Sequence, residues 1–364
     1  MVSARVAGDG GFGRRPDSYQ FRTKRFVWLG VRTHDAARGG RTVAVGPTSS
    51  DVIGGAMNRF RLIGIWVLGV LFISSAAWSS TTVTLSRKFI KDNKDRATIE
   101  GTLLIDYAHD KPKPASEDGD IHIAAWSPEV GLITVAEIMN SKLEKGAVKN
   151  ANDAEGRTRA VPFTGVWRIW PEHGGDHVFA QDIGGDPVPP TPAKKTNPDH
   201  LFEIHPLTTF DGIDVADAIG DIPGYTYKHA DDAFHRYENT RFHMKCGTSE
   251  VEMTMSMVGY NYTEFTLELN EDVQHTMQDG GKAFKARILD SEEHTLVSEE
   301  RMILVPGTGA FEKLKDAKAG ERYTVLGMPR LSFSLVEWRC ANAKKKPYVL
   351  QWDIPYEMVL LEVF

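Results

Sequence analysis

Cysteine is nearly missing: the 364 residues hold two, Cys246 and Cys340. Neither sits in a C-x-x-C pair, so the two alone do not make a metal knuckle; in an oxidising compartment they can pair with each other. The short motifs of nucleophilic and nucleotide chemistry are missing too. There is no G-x-S-x-G, no H-E-x-x-H, no Walker A sequence and no G-x-G-x-x-G after a strand, so no motif-borne nucleophile is expected.

Excess positive charge is absent where it would matter. The chain carries −6 overall; residues 1–56 have nine Lys/Arg against four Asp, and residues 57–80 add Arg59 and Arg61, which leaves −13 on residues 81–364. That part lacks the cationic footprint that a phosphate backbone requires, so nucleic acid is not an expected partner. Docking on an anionic lipid surface is disfavoured for the same reason. Glutamate is absent from residues 1–56, which are rich in Gly and Arg and show neither helical nor strand periodicity.

Against these absences stands one long apolar run. Met57 is followed by Arg59 and Arg61, then by apolar residues from Leu62 to Ile73, then by Ser74, Ser75, Ala76 and Ala77. A basic start, an apolar middle and a small-residue end are the three parts of a secretory signal peptide. Residues 57–80 are therefore read as a signal helix, Met57 as the initiator, and residues 1–56 as a disordered or mis-assigned upstream extension. The expected location is exported, periplasmic or extracellular. The alternative is an uncleaved anchor through residues 62–78, whose seventeen residues reach the lower limit for spanning a bilayer.

The remainder has the composition of a globular protein, with 41% hydrophobic and 25% charged residues. Two β-rich domains are expected, 81–212 and 213–364. After a charged lead, Lys88 to Arg96, the first shows strands at Ala97–Tyr107 (with a bend at Gly101), Asp120–Trp126 and Leu132–Met139. A helix over Ser141–Ala154 follows, with Ser141 and Glu144 placed as a capping box. Strands at Val161–Trp170 and His200–Thr209 complete it. Three strands, a helix and two strands is the order of an OB barrel.

The motifs agree. Asp118-Gly119-Asp120-Ile121-His122, Val161-Pro162-Phe163-Thr164-Gly165-Val166-Trp167 and Phe202-Glu203-Ile204-His205-Pro206-Leu207 resemble the D-x-D-I-H, V-x-x-T-G-x-W and W-E-I-H-P-V strands of uncharacterised bacterial exported proteins with an OB-like domain. The resemblance covers residues 97–210 and departs at Phe202, where tryptophan is usual. It implies the fold and no particular ligand.

In the second domain a helix is expected at Ala230–Tyr237 and another at Phe311–Ala319, closed by Gly320. The alternating run Val251–Leu269 reads as a hairpin broken near Gly259 or Asn261, with Met253, Met255 and Met257 on one face. Strands are expected at Phe284–Leu289, Thr295–Val305, Arg322–Trp338 and Tyr348–Phe364, giving a second barrel or a sandwich. Lys344 to Lys346 read as a solvated loop. No internal repeat is visible in the letters.

Strand alternation sets Asp120 with His122 on one face, and Glu203 with His205 on another. With His173 and His177 from the loop between the last two strands of the first domain, these are the candidate ligand-binding or metal residues. Imidazole and carboxylate are donors for a zinc-like divalent ion; the plainer expectation is a hydrogen-bonded polar network with no cofactor. Trp126, Trp167 and Trp170 are candidates for stacking a sugar or peptide, against a plainer role in the barrel core. The expected function is a non-enzymatic envelope binding module whose partner is a protein, peptide or saccharide. The alternatives are a metal-dependent hydrolase and a single-span anchored structural protein.

Overall fold

The structure, a computed structural model, describes residues 80–342 and 350–364, all of them within the compact unit Ile73–Phe364. The leader as far as Ser79, the extension 1–56 and the lysine run 344–346 lie outside the described residues. Among the described residues, eighteen strands and five α-helices follow one another. First come β1 (Ser80–Ser86) and α1 (Arg87–Asn93), the latter capped by Ser86, whose side chain accepts from the Lys88 N–H. The charged lead is thus a helix, with Phe89 and Ile90 buried.

The first barrel comprises β2 (Thr98–Ala108), β3 (Ile121–Ser127), β4 (Leu132–Ile138), α2 (Lys145–Asp153), β5 (Ala160–Ile169) and, beyond the short β6 (Val178–Ala180), β7 (Phe202–Phe210). The run β2–β3–β4 is antiparallel, β4 meets β7 in parallel, and β7–β5–β2 closes the ring. Counted within the barrel, the order is 1-2-3-5-4, the Greek-key closure of an OB fold. Two local expectations fail. The register shift on β2 lies between Ile105 and Tyr107 and not at Gly101. Ser141 opens a 3₁₀ turn and does not cap α2; its hydroxyl donates to Gly119 O at 3.0 Å instead.

The chain continues through β8 (Ile213–Asp214), β9 (Lys228–His229), α3 (Ala230–Glu238), β10 (Arg241–Cys246) and β11 (Glu250–Ser256). The second barrel takes β12 (Thr263–Leu269), then, after β13 (His275–Thr276), β14 (Lys282–Leu289), β15 (Thr295–Leu304), α4 (Gly309–Leu314), β16 (Arg322–Leu331) and α5 (Phe333–Asn342), and, past β17 (Leu350–Asp353), β18 (Tyr356–Val363). Its pairings are β12–β14–β15, β15 with β18 in parallel, then β18–β16–β12. This is the same 1-2-3-5-4 closure, with α4 where α2 stands. The second β region is therefore a barrel and not a sandwich, and the fold repeats although the letters do not.

Three more readings change. β11 and β12 form no hairpin: β11 pairs with β1 and β10, whereas β12 belongs to the barrel. Met253 and Met255 are buried as expected, but Met257 lies past the strand and is exposed. The segment Arg322–Trp338 is half strand and half helix, since α5 starts at Phe333 and Phe333, Val336 and Cys340 bury at helical spacing. α4 is capped by the Thr308 hydroxyl and ends at Leu314, short of Gly320.

The two barrels meet along β5 and β16. Gly165-Val166-Trp167-Arg168 on β5 has its counterpart in Gly327-Met328-Pro329-Arg330 on β16. Arg168 is the register partner of Glu203, and Arg330 of Glu357. Arg168 Nε donates to Pro329 O at 2.9 Å, while Arg330 Nη1 donates to Trp167 O at 3.4 Å. Each arginine thus pairs inside its own barrel and holds the carbonyl just before the other arginine.

A third sheet, β17–β10–β11–β1–β6, lies outside both rings. Cys246 on β10 and Cys340 on α5 form a disulfide across a sequence separation of 94 with a Cα–Cα distance of 5.6 Å. Chain-entropy arguments give such a loop about 4–5 kcal/mol. The Cys246→Ser/Cys340→Ser double variant should therefore lose about that much in urea unfolding against the oxidised parent; an unchanged midpoint contradicts it.

Candidate functional site

Because β4 lies between β3 and β7 in the ring, residues from the second and fifth barrel strands meet through the third. Asp120 directly precedes β3 and His122 lies on it. Glu137 on β4 is the register partner of His122, and β7 brings Glu203 and His205. All five are buried, with Asp120 and His205 at 0% exposure and Glu203 at 1%.

At one end the Lys113 ammonium, from the loop before β3, donates to His122 Nε2 at 2.7 Å and lies 3.1 Å from Asp120 Oδ1 and 3.6 Å from Asp118 Oδ1. His122 Nε2 is 3.4 Å from Asp120 Oδ2 and 3.4 Å from Glu137 Oε1. Glu137 Oε2 then faces His205 Nδ1 at 3.0 Å, and His205 Nε2 shares a 2.6 Å hydrogen bond with the Tyr262 hydroxyl, delivered from the second barrel. At the other end Glu203 binds Arg168 and accepts from His200 Nε2 at 3.0 Å. Arg168 reaches Glu172 at 3.5 Å.

Burial governs the protonation of this chain of groups. It pushes Glu137 well above the usual carboxylate range, helped by the charges of Asp120 and Glu203. It raises Asp118 to about 8, with Asp120 adding to the effect. Burial also opposes ionisation of Asp120 and Glu203, but is outweighed there: His122, Glu137 and Lys113 hold Asp120 low, and Arg168, His200 and His205 hold Glu203 low. Desolvation keeps His205 neutral against the pull of Glu203. Lys113 is desolvated too, yet Asp120, Glu137 and Asp118 raise it. The balance is two ion pairs, Lys113 with Asp120 and Arg168 with Glu203, bridged by a protonated Glu137 and a neutral His205.

Of the residues expected from sequence, Asp120, His122, Glu203 and His205 join this network. His173 lies beside it, stacked on His200 with ring centroids 5.2 Å apart. His177 does not join: its side chain is 57% exposed and pairs with Asp199. Trp126, Trp167 and Trp170 are all buried. Trp167 lies parallel to Phe333 at 4.3 Å, and Trp170 meets Tyr237 edge-on at 5.3 Å. Sequence reading missed Lys113, Glu137, Arg168, His200 and Tyr262. Two left a signal: Glu137 is the lone acid in Leu132–Met139, and Arg168 the lone cation between Trp167 and Ile169.

Asp120, His122 and Glu137 offer one donor atom each within 4.8 Å of one another, a set with the chemistry to hold a divalent ion. Glu172 and His173 also line a cavity of about 320 Å³, together with Lys195, Asn197, Asp199 and Met257. No protein-family model matches the chain, and no curated protein matches it.

Two outcomes follow. Arg168→Met strands Glu203 as a buried unpaired charge and should cost about 3–5 kcal/mol, with Arg168→Met/Glu203→Leu recovering part of it; equal losses in a urea series contradict the pairing. Burial lowers His173 to about 4. Between pH 6.5 and 4 the unfolded chain binds this proton and the folded chain does not, so stability falls as pH falls. His173→Gln should flatten that fall by up to one proton, read from unfolding free energy against pH.

Proposed function

We propose that the chain is an exported, non-enzymatic binding protein of the cell envelope, built as two OB barrels joined through a buried charged seam. The observation that carries this reading is where the acid–base groups are used. His205, Glu203 and Arg168 are fully buried, with Arg168 paired to Glu203 and with Arg168 and His205 bonded to the second barrel through Pro329 O and Tyr262. Export is supported by the tripartite order of residues 57–80 and by the disulfide, which needs an oxidising compartment. No helix among the described residues is long and apolar enough to cross a membrane; the anchored alternative rests on residues 62–78. The ligand is a protein, peptide or saccharide, in keeping with the acidic chain, and the cavity at Glu172, His173 and Asn197 is its natural place of contact.

A metal-dependent hydrolase is the second reading, favoured by the donor set Asp120, His122 and Glu137. It requires a coordination position open to water and substrate. The two readings separate in one experiment. Purified residues 81–364 are assayed on ester, phosphoester, glycoside and peptide substrates, with and without added zinc or manganese. The binding reading expects no turnover above background. Turnover that needs metal and disappears in Glu137→Gln sinks it.

A further inference from the structure

Lys113 occupies an unusual place. Its ammonium stands against Asp118, Asp120 and His122, two of which belong to the donor set Asp120, His122 and Glu137, and supplies one positive charge to these oxygen and nitrogen donors. The donors are spaced for an ion. His122 Nε2 is 3.4 Å from one oxygen of Asp120 and 3.4 Å from one of Glu137. A tetrahedral site with bonds of about 2.0–2.2 Å has edges of about 3.3–3.6 Å. The second observation is independent of spacing. Asp120 is wholly buried, yet neither of its carboxylate oxygens receives an aligned hydrogen bond, and Asp118 Oδ1 receives none either. Buried carboxylates normally collect such bonds; here Asp120 Oδ1 and Asp118 Oδ1 face the Lys113 ammonium and Asp120 Oδ2 faces His122 Nε2, all at ion-pair distance.

The two cations of the network also differ in how they are held. Arg168 is fully buried and fixed by Glu203 and Pro329 O. Lys113 rises from a loop and is 21% exposed along its side chain. An unbranched four-carbon stem with a solvent-facing flank can withdraw without disturbing a strand.

We infer that Asp120, His122 and Glu137 form a site for a zinc-like divalent ion, and that the Lys113 ammonium, paired with Asp120 and His122, competes with that ion for them. The donor chemistry, one imidazole and two carboxylates, suits zinc or manganese better than a soft thiophilic ion. The inference shares ligands with the hydrolase reading but needs no reaction, so it survives if that reading fails.

Cobalt(II) is the probe, because a tetrahedral cobalt site has an intense visible spectrum. Wild type, Lys113→Met, Lys113→Gln, Glu137→Gln and Lys113→Met/Glu137→Gln are titrated as residues 81–364, with folding checked by circular dichroism. Removing the competing ammonium should give one tetrahedral cobalt per chain, bound at least tenfold more tightly than by wild type. The Glu137→Gln changes should abolish the spectrum. Absence of a stoichiometric tetrahedral spectrum from every folded chain that retains Glu137 overturns the site. An affinity equal in wild type and both Lys113 variants overturns the exchange. A cobalt-loaded chain with no hydrolytic turnover keeps the site and ends the hydrolase reading.

Discussion

Two arginines that cannot reach water set the arrangement of this molecule. Arg168 and Arg330 are both fully buried, on strands β5 and β16 that face each other between the barrels. Removing a guanidinium from water costs several kcal/mol, and only a carboxylate with further hydrogen-bond acceptors offsets it. Each arginine finds the carboxylate within its own barrel, Glu203 or Glu357, and a further acceptor on the facing strand of the other. Neither barrel alone supplies all the acceptors that its arginine uses. Trp167 makes the junction denser, with the Arg330 guanidinium 3.8 Å from its ring centroid and Phe333 stacked on it.

That seam determines what the neighbouring groups can be. Arg168 compensates Glu203, whereas Glu137 is buried beside the charges of Asp120 and Glu203, so Glu137 holds its proton and bridges His122 and His205. At the far end the compensating cation comes from a loop instead of a strand. The network is therefore anchored from a strand beside Arg168 and from a loop beside Lys113.

Much of the fold was legible. The strand order of the first barrel follows from alternation and turn residues, and the apolar runs of β3, β4, β5 and β7 mark themselves. What local pattern could not supply is pairing between distant segments. β11 and β12 read as a hairpin because they are adjacent, yet they enter different sheets, since β1 supplies the better partner for the Met253–Met255 face. Residues 322–338 read as one strand because apolar letters run on through Ser332, with no glycine or proline between Arg330 and Trp338 to mark the change. Asp120, His122, Glu203 and His205 were legible as polar positions on strands. Their meeting was not, because it depends on β4 lying between β3 and β7, and the residue that joins them, Glu137, sits in an otherwise apolar stretch.

The second barrel is a control for the first. It closes with the same strand order and carries the same clasp, with Gly327 three residues before Arg330 as Gly165 is before Arg168, and Tyr356-Glu357 as Phe202-Glu203. Both glycines are needed where they stand: a Cβ at Gly165 would lie 2.3 Å from Ile204 Cγ2, and one at Gly327 would lie 2.9 Å from Phe265. Two residues past the clasp glutamate, however, the first barrel has His205 and the second has Val359, buried among apolar neighbours. Barrel closure and docking thus ask for the arginine and the glutamate but not for the histidine. Burying His205, Glu137 and Asp120 together carries a desolvation cost that a valine avoids. The fold alone does not require that cost, so barrel closure and docking do not account for these groups.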